Sequence, residues 1–413
     1  MNRQAVITGI GVVSPLGIGK ESFSQRLYDG ESGIGTIESF DTSRFRSHLG
    51  AEIKGFSPRD FVSVKNLRKM DRLSAITAAA SRMALEDAGV KVESSNRDRV
   101  GIVLGTAFGP TNITVQFAKA LINEGPGFVN PILVPNTVLN APASHASIEI
   151  GFRGVNSTVT HYGVSAETAI AYAAEEIQKG TADVMLAGGA DIISEFFFEA
   201  LVRFGAVSPA GGDAEGAKPF DLNRNGPVAG ENCGIVCIEP MDMARARGAT
   251  IYCSVSGWGL GSSPASPTNW PTDPKGLTLA ISRALKHAGI GPKDIDAIAA
   301  CANGGRNPDY IEGEAYEMIF GSRTGGPHIF SIKGSVGESF STGGLNAAVL
   351  AMAIKEGYLP PTVGLADPAW PLSFTKMKGL HANVRYALLN GVSFGGTYAS
   401  LVLKQQHQTG DDA

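Results

Sequence analysis

Short apolar runs alternate with amphipathic stretches of helical spacing from one end of this chain to the other. That alternation predicts an α/β fold, with strands buried between helices. Ala5–Val13 reads as a first strand breaking into a glycine-rich turn, and Val100–Gly105 and Asp183–Gly189 read as further buried strands. Arg72–Ala88 and Val164–Lys179 read as helices, with Gly89 and Gly180 as their C-terminal stops. The second half repeats the order: strand Ile251–Trp258, helix Thr278–Ala288, strands Ile295–Cys301 and Ile329–Lys333, helix Leu345–Lys355 and a last strand Leu401–Lys404. Two successive halves of like order predict an internal duplication, residues 1–253 and 254–413, joined near 250–256. The polar stretch from Gln405 to Ala413 reads as a frayed end.

At 413 residues the chain is long enough for two domains or one large duplicated unit. A hydrophobic share of 43% against 18% charged supports a substantial core. The net charge of -4 and the absence of a Lys/Arg run with interleaved aromatics leave no electrostatic footprint for nucleic acid or a membrane surface. No apolar run reaches the ~20 residues that span a bilayer. The first residues enter a strand pattern without a basic-apolar leader. The four cysteines, Cys233, Cys237, Cys253 and Cys301, match no zinc or redox spacing, so reduced core thiols in a cytoplasmic protein without metal or cofactor are expected.

Several segments together resemble one family. Val6–Gly17 (VITGIGVVSPLG), Gly30–Ile34, Met70–Ser74 and Ala182–Ala190 match β-ketoacyl-acyl-carrier-protein synthases in order and spacing. Lys218–Gly226 is similar to that family's "RPFDxxRDG" run, and Ser393–Thr397 to its "GFGGTN" turn. The resemblance implies a thiolase-type fold: two related α/β halves, five layers in the order αβαβα, and an obligate dimer.

The family's chemistry needs a cysteine at a helix N-terminus to carry the acyl group, and two histidines to stabilise the developing enolate. The "TACxSG" run falls on His161–Ala166, which puts Gly163 at the cysteine position. The "NAHGT" turn reads Cys301–Gly305, putting Asn303 at the first histidine, and the "KSxxGH" run reads Lys333–Glu338, putting Glu338 at the second. Glycine cannot hold an acyl chain, asparagine cannot exchange a proton near pH 7, and a carboxylate opposes an enolate. Three family positions are retained by this resemblance: Lys333 and Glu314 as a buried ion pair, and Phe394 of the oxyanion turn. Asp221, Arg224 and Glu231 read as charges that order a loop, and the Trp270–Pro274 loop departs from the family pattern.

The pattern resembles the chain-length factor of type II polyketide synthases. That implies a non-condensing subunit paired with an active β-ketoacyl synthase, with transient contact to acyl carrier protein. Phe108 and Leu133, the latter within Ile132–Asn140, are the residues placed by resemblance at the interface and tunnel. Two rival readings stand beside this one. One is an enzyme with repurposed acyl-transfer or hydrolase chemistry at Ser165 or Cys301; the other is a homodimeric acyl-binding protein.

Overall fold

The computed structural model describes residues 3–212, 214–321, 325–376 and 378–406. The end of the polar tail, from residue 407, lies outside the described residues. Ten strands build the core: β1 Ala5–Ser14, β2 Val100–Gly105, β3 Asn156–Val159, β4 Val184–Asp191, β5 Asn232–Pro240, β6 Cys253–Ser262, β7 Ala297–Ala299, β8 His328–Phe330, β9 Tyr386–Ser393 and β10 Thr397–Lys404. The helices that matter here are α1 Arg72–Ala88, α2 Thr111–Glu124, α3 Ala141–Ile150, α4 Ser165–Lys179, α5 Glu195–Arg203, α6 Lys275–Ala288, α7 Arg306–Phe320 and α8 Gly343–Glu356.

The first five strands run in the order β3-β2-β4-β5-β1, and the second five in the order β8-β7-β9-β10-β6. Numbered within its own half, each series is 3-2-4-5-1, so the halves share one topology. In both, the first two pairings in that order are parallel and the last two antiparallel. The halves meet where β1 and β6 pair antiparallel, over Val6↔Ser254 and Ile7↔Cys253. The likeness reaches single residues. A Cβ on Gly9 or Gly11 of β1 would collide with the backbone of Ala84 or Ala80 on α1, and one on Gly257 or Gly259 of β6 with Ala284 or Ala280 on α6. Glycine faces alanine so that helix backbone can lie directly on strand backbone in each half.

Helices α4 and α8 lie between the two sheets, and their burial follows from composition. Every residue of α8 from Gly343 to Ile354 is buried, as are ten of the fifteen residues of α4. A helix apolar on all sides is stable only between two layers. Helices α1 and α3 cover the outside of the first sheet, and α6 and α7 cover the second, giving five layers with three apolar cores. Asp71 caps α1 by accepting from Ser74 N–H and Leu73 N–H, and Gly89 ends it at φ 66°, the left-handed stop a glycine supplies. No helix among the described residues is long and apolar enough to cross a membrane.

Candidate active site

The site lies where the N-terminus of α4 meets the ends of β7 and β9. The chain enters α4 through a turn at Tyr162–Val164, with Tyr162 in the left-handed region at φ 48°. Gly163 N–H donates to Ser393 Oγ at 3.3 Å. A Cβ on Gly163 would stand 2.7 Å from the Val392 carbonyl oxygen. The β9 backbone therefore occupies the space that a side chain at this position needs. Ser165 is fully buried. Its hydroxyl accepts from His161 N–H at 2.8 Å and lies 2.8 Å from the Tyr162 carbonyl and 3.2 Å from that of Thr106. These partners are all backbone groups, so the hydroxyl satisfies the turn and has no general base.

Asn303, Lys333, Glu338 and Cys301 are brought together in the interior, each no more than 5% exposed. Lys333 Nζ donates to Glu338 Oε2 at 2.6 Å and lies 3.3 Å from Cys301 Sγ. Asn303 Nδ2 reaches the same Oε2 at 2.7 Å, while its Oδ1 accepts from Gly305 N–H at 2.8 Å. Burial by itself lowers the pKa of Lys333, but Cys301 and Glu338 outweigh it and hold the ammonium above the ordinary lysine range. Burial pushes the Cys301 thiol up to about 12, with Lys333 opposing. Burial thus disfavours the thiolate that a nucleophile at Cys301 would need.

One expectation is corrected. Lys333 does not pair with Glu314; its carboxylate is Glu338. Glu314 is half-buried and accepts from Trp370 Nε1 at 3.1 Å. The buried glutamate on α7 is Glu312, whose Oε1 accepts from Cys301 N–H at 2.9 Å and Tyr316 O–H at 2.6 Å. Residues two apart on a helix lie about 200° around it, so both cannot face the site. The spacing Asp309, Glu312, Tyr316 marks one helix face, and that signal was available in the sequence.

Phe108, Phe197, Phe340, Phe394 and Tyr162 fill the space above this network. Ring centroids are 5.3 Å apart for Phe108–Phe340, 5.9 Å for Phe340–Phe394 and 4.6 Å for Tyr162–Phe394. Trp270 of the divergent loop reaches Phe394 edge-on at 6.0 Å. Beside Phe108, Phe197, Phe340 and Glu338 the remaining cavity is about 10 Å³, at the lower limit for one water. Phe340 and Phe197 are residues the sequence did not single out; Phe340 holds φ 63°, rare for a bulky side chain. Leu133 lies apart, half-buried in the turn Pro131–Asn136. Around it Ile132, Val134, Val138 and Leu139 are exposed, and α2 has no buried residue. Asp221 and Glu231 order loops as expected: Asp221 accepts from Asn223, Ala366 and Asp367 N–H, and Glu231 from Ile53 and Ile193 N–H.

Burial also pushes up four carboxyls around the site: Glu167 and Glu312 to about 7, and Asp191 and Asp309 to about 6. In the unfolded chain such groups titrate near 4. Between those values the native state binds more protons than the unfolded state. The contribution of these four groups is therefore fully present below about pH 4 and is lost as pH rises to about 7. His145, whose pKa burial lowers, acts in the opposite sense. The urea midpoint is expected to drop between pH 5 and pH 7.5, and Glu167→Gln to flatten that slope. A midpoint that rises over this window counts against the buried acids as the main source of the pH dependence.

The Beta-ketoacyl synthase N-terminal domain family matches residues 2–244, and the Beta-ketoacyl synthase C-terminal domain family matches residues 252–366. A 3-oxoacyl-[acyl-carrier-protein] synthase 2 from Vibrio cholerae serotype O1 is 33% identical over 412 residues, covering 98% of this chain and 99% of that protein. Among solved structures, the ishigamide ketosynthase/chain length factor superposes with a TM-score of 0.90 at 30% identity, covering 98% of this chain and 100% of that one. A β-ketoacyl synthase from Burkholderia phymatum superposes equally well, at a TM-score of 0.90 and 27% identity, with 98% and 100% covered. With one topology used twice, five layers and these matches over nearly its full length, the chain belongs to the β-ketoacyl synthase family.

Proposed function

We propose that this chain is a non-condensing ketosynthase-like subunit, a chain-length factor that pairs with an active ketosynthase and shapes the tunnel for its acyl or polyketide chain. The observation that carries this reading is Gly163. The helix N-terminus that would hold a nucleophile is intact, yet the residue has no side chain and β9 stands where one would go. Asn303 and Glu338 support it, since Glu338 is held by Lys333 and Asn303 is held by Glu338, rather than free for proton transfer. The exposed apolar residues around Leu133 support a macromolecular partner for that face. Phe108, packed against Tyr162, Phe197 and Phe340, sets tunnel depth together with Leu133. The products are type II polyketides or specialised fatty acids and polyenes, delivered on acyl carrier protein.

The test is intact-mass spectrometry after incubation with acyl- and malonyl-carrier protein, with and without a ketosynthase from the same source. The expected outcome is stable co-purification with the ketosynthase and acyl mass on that partner alone. Acyl mass on this chain would sink the proposal.

A further inference from the structure

Three donors converge on one buried carboxylate. Lys333 Nζ and Asn303 Nδ2 reach Glu338 Oε2 at 2.6 and 2.7 Å, and Phe340 N–H reaches Oε1 at 2.8 Å. An ammonium, an amide and a backbone N–H aimed at the two oxygens of a single carboxylate form a complete anion site. The Glu338 backbone is fixed as well, its N–H donating to Val228 O at 2.7 Å and its C=O accepting from Gly230 N–H at 2.8 Å. The other titratable groups near Lys333 are Cys301, Glu167 and Glu312, all buried. Burial disfavours their charged forms.

We propose that Lys333, Asn303 and the Phe340 N–H constitute a carboxylate-binding site that the chain fills with its own Glu338. Held there by fixed backbone, Glu338 competes at a high effective concentration against any free carboxylate. It thereby excludes small carboxylates, including the free carboxylate of a dicarboxylic acyl thioester. This last consequence rests on the non-condensing reading above; the site itself does not.

Glu338→Ala removes a CH2–carboxylate fragment, the size of acetate, so sodium acetate is the probe. Thermal unfolding of the wild type, Glu338→Ala, Glu338→Gln and Lys333→Met/Glu338→Ala would be followed in acetate against chloride at equal ionic strength and pH 7.5. Glu338→Ala is expected to lose several degrees in Tm and to recover at least half of the loss, saturably, with acetate. The wild type, the amide variant whose side chain still fills the space, and the double variant without the ammonium should respond no more to acetate than to chloride. No acetate response in Glu338→Ala, or an equal response in the double variant, overturns the proposal. If Glu338→Ala aggregates, soluble yield from purification in acetate against chloride replaces Tm, and equal yields overturn it. The response is read on this chain whether or not a ketosynthase co-purifies, so failure here and failure of the subunit reading are separate results.

Discussion

Lys333→Met is expected to be among the most destabilising single changes in this protein, at roughly 3–5 kcal/mol. The substitution keeps the volume but leaves the Glu338 carboxylate buried with only Asn303 Nδ2 and Phe340 N–H as partners. Replacing both members of the pair, Lys333→Met/Glu338→Met, removes the two desolvation penalties together and should cost far less than the single change. Urea melts of the wild type, both single variants and the double variant close the cycle. A single-variant loss no larger than that of the double would mean that the pair contributes nothing specific.

Gly163→Cys places a thiol at the family's nucleophile position and is expected to gain no acyl-enzyme. Its Cβ would sit 2.7 Å from Val392 O, so the α4 turn or β9 must shift. Overpacking of this kind costs about 1–3 kcal/mol. A thiol so introduced still finds Glu338 held by Lys333 and Asn303, with neither family histidine to move a proton. The measurements are a thermal melt and the same acyl-transfer mass assay; wild-type Tm together with acyl mass on the cysteine would show that β9 leaves room for a working nucleophile.

Much of the fold was legible in the residues because local rules settle it. Arg72–Ala88 is a helix with the bounds read from the sequence, since Asp71 caps it and Gly89 stops it. Val100–Gly105 is a strand as read. Helix Ser165–Lys179 starts one residue later than expected, because Tyr162–Val164 forms a tight turn first. Other edges moved further. The last strand runs Thr397–Lys404 rather than from Leu401, and β9 was not read at all beyond its final turn. Its Tyr386–Ser393 run mixes Asn390, Gly391 and Ser393 into an apolar stretch, and only pairing with β7 and β10 fixes it as a central strand.

At the site, the chain's own residues determined what is missing. Glycine at 163 carries no nucleophile in any fold, and an asparagine and a glutamate cannot act as two histidines. What the sequence could not determine was who pairs with whom. Glu312, Glu314 and Glu338 are all candidate partners for Lys333, and choosing among them requires the rotation of α7 and the path of the Glu338 turn. Nor could it show that β9 closes over Gly163, or that Phe340 is held at φ 63° above the Glu338 carboxylate. Some of these contacts, such as Gly163 against Val392, join segments far apart in the chain, and others, such as Lys333–Glu338, are near in sequence but turn on the path of the backbone between them. They depend on three-dimensional packing, which residue type and local spacing do not encode.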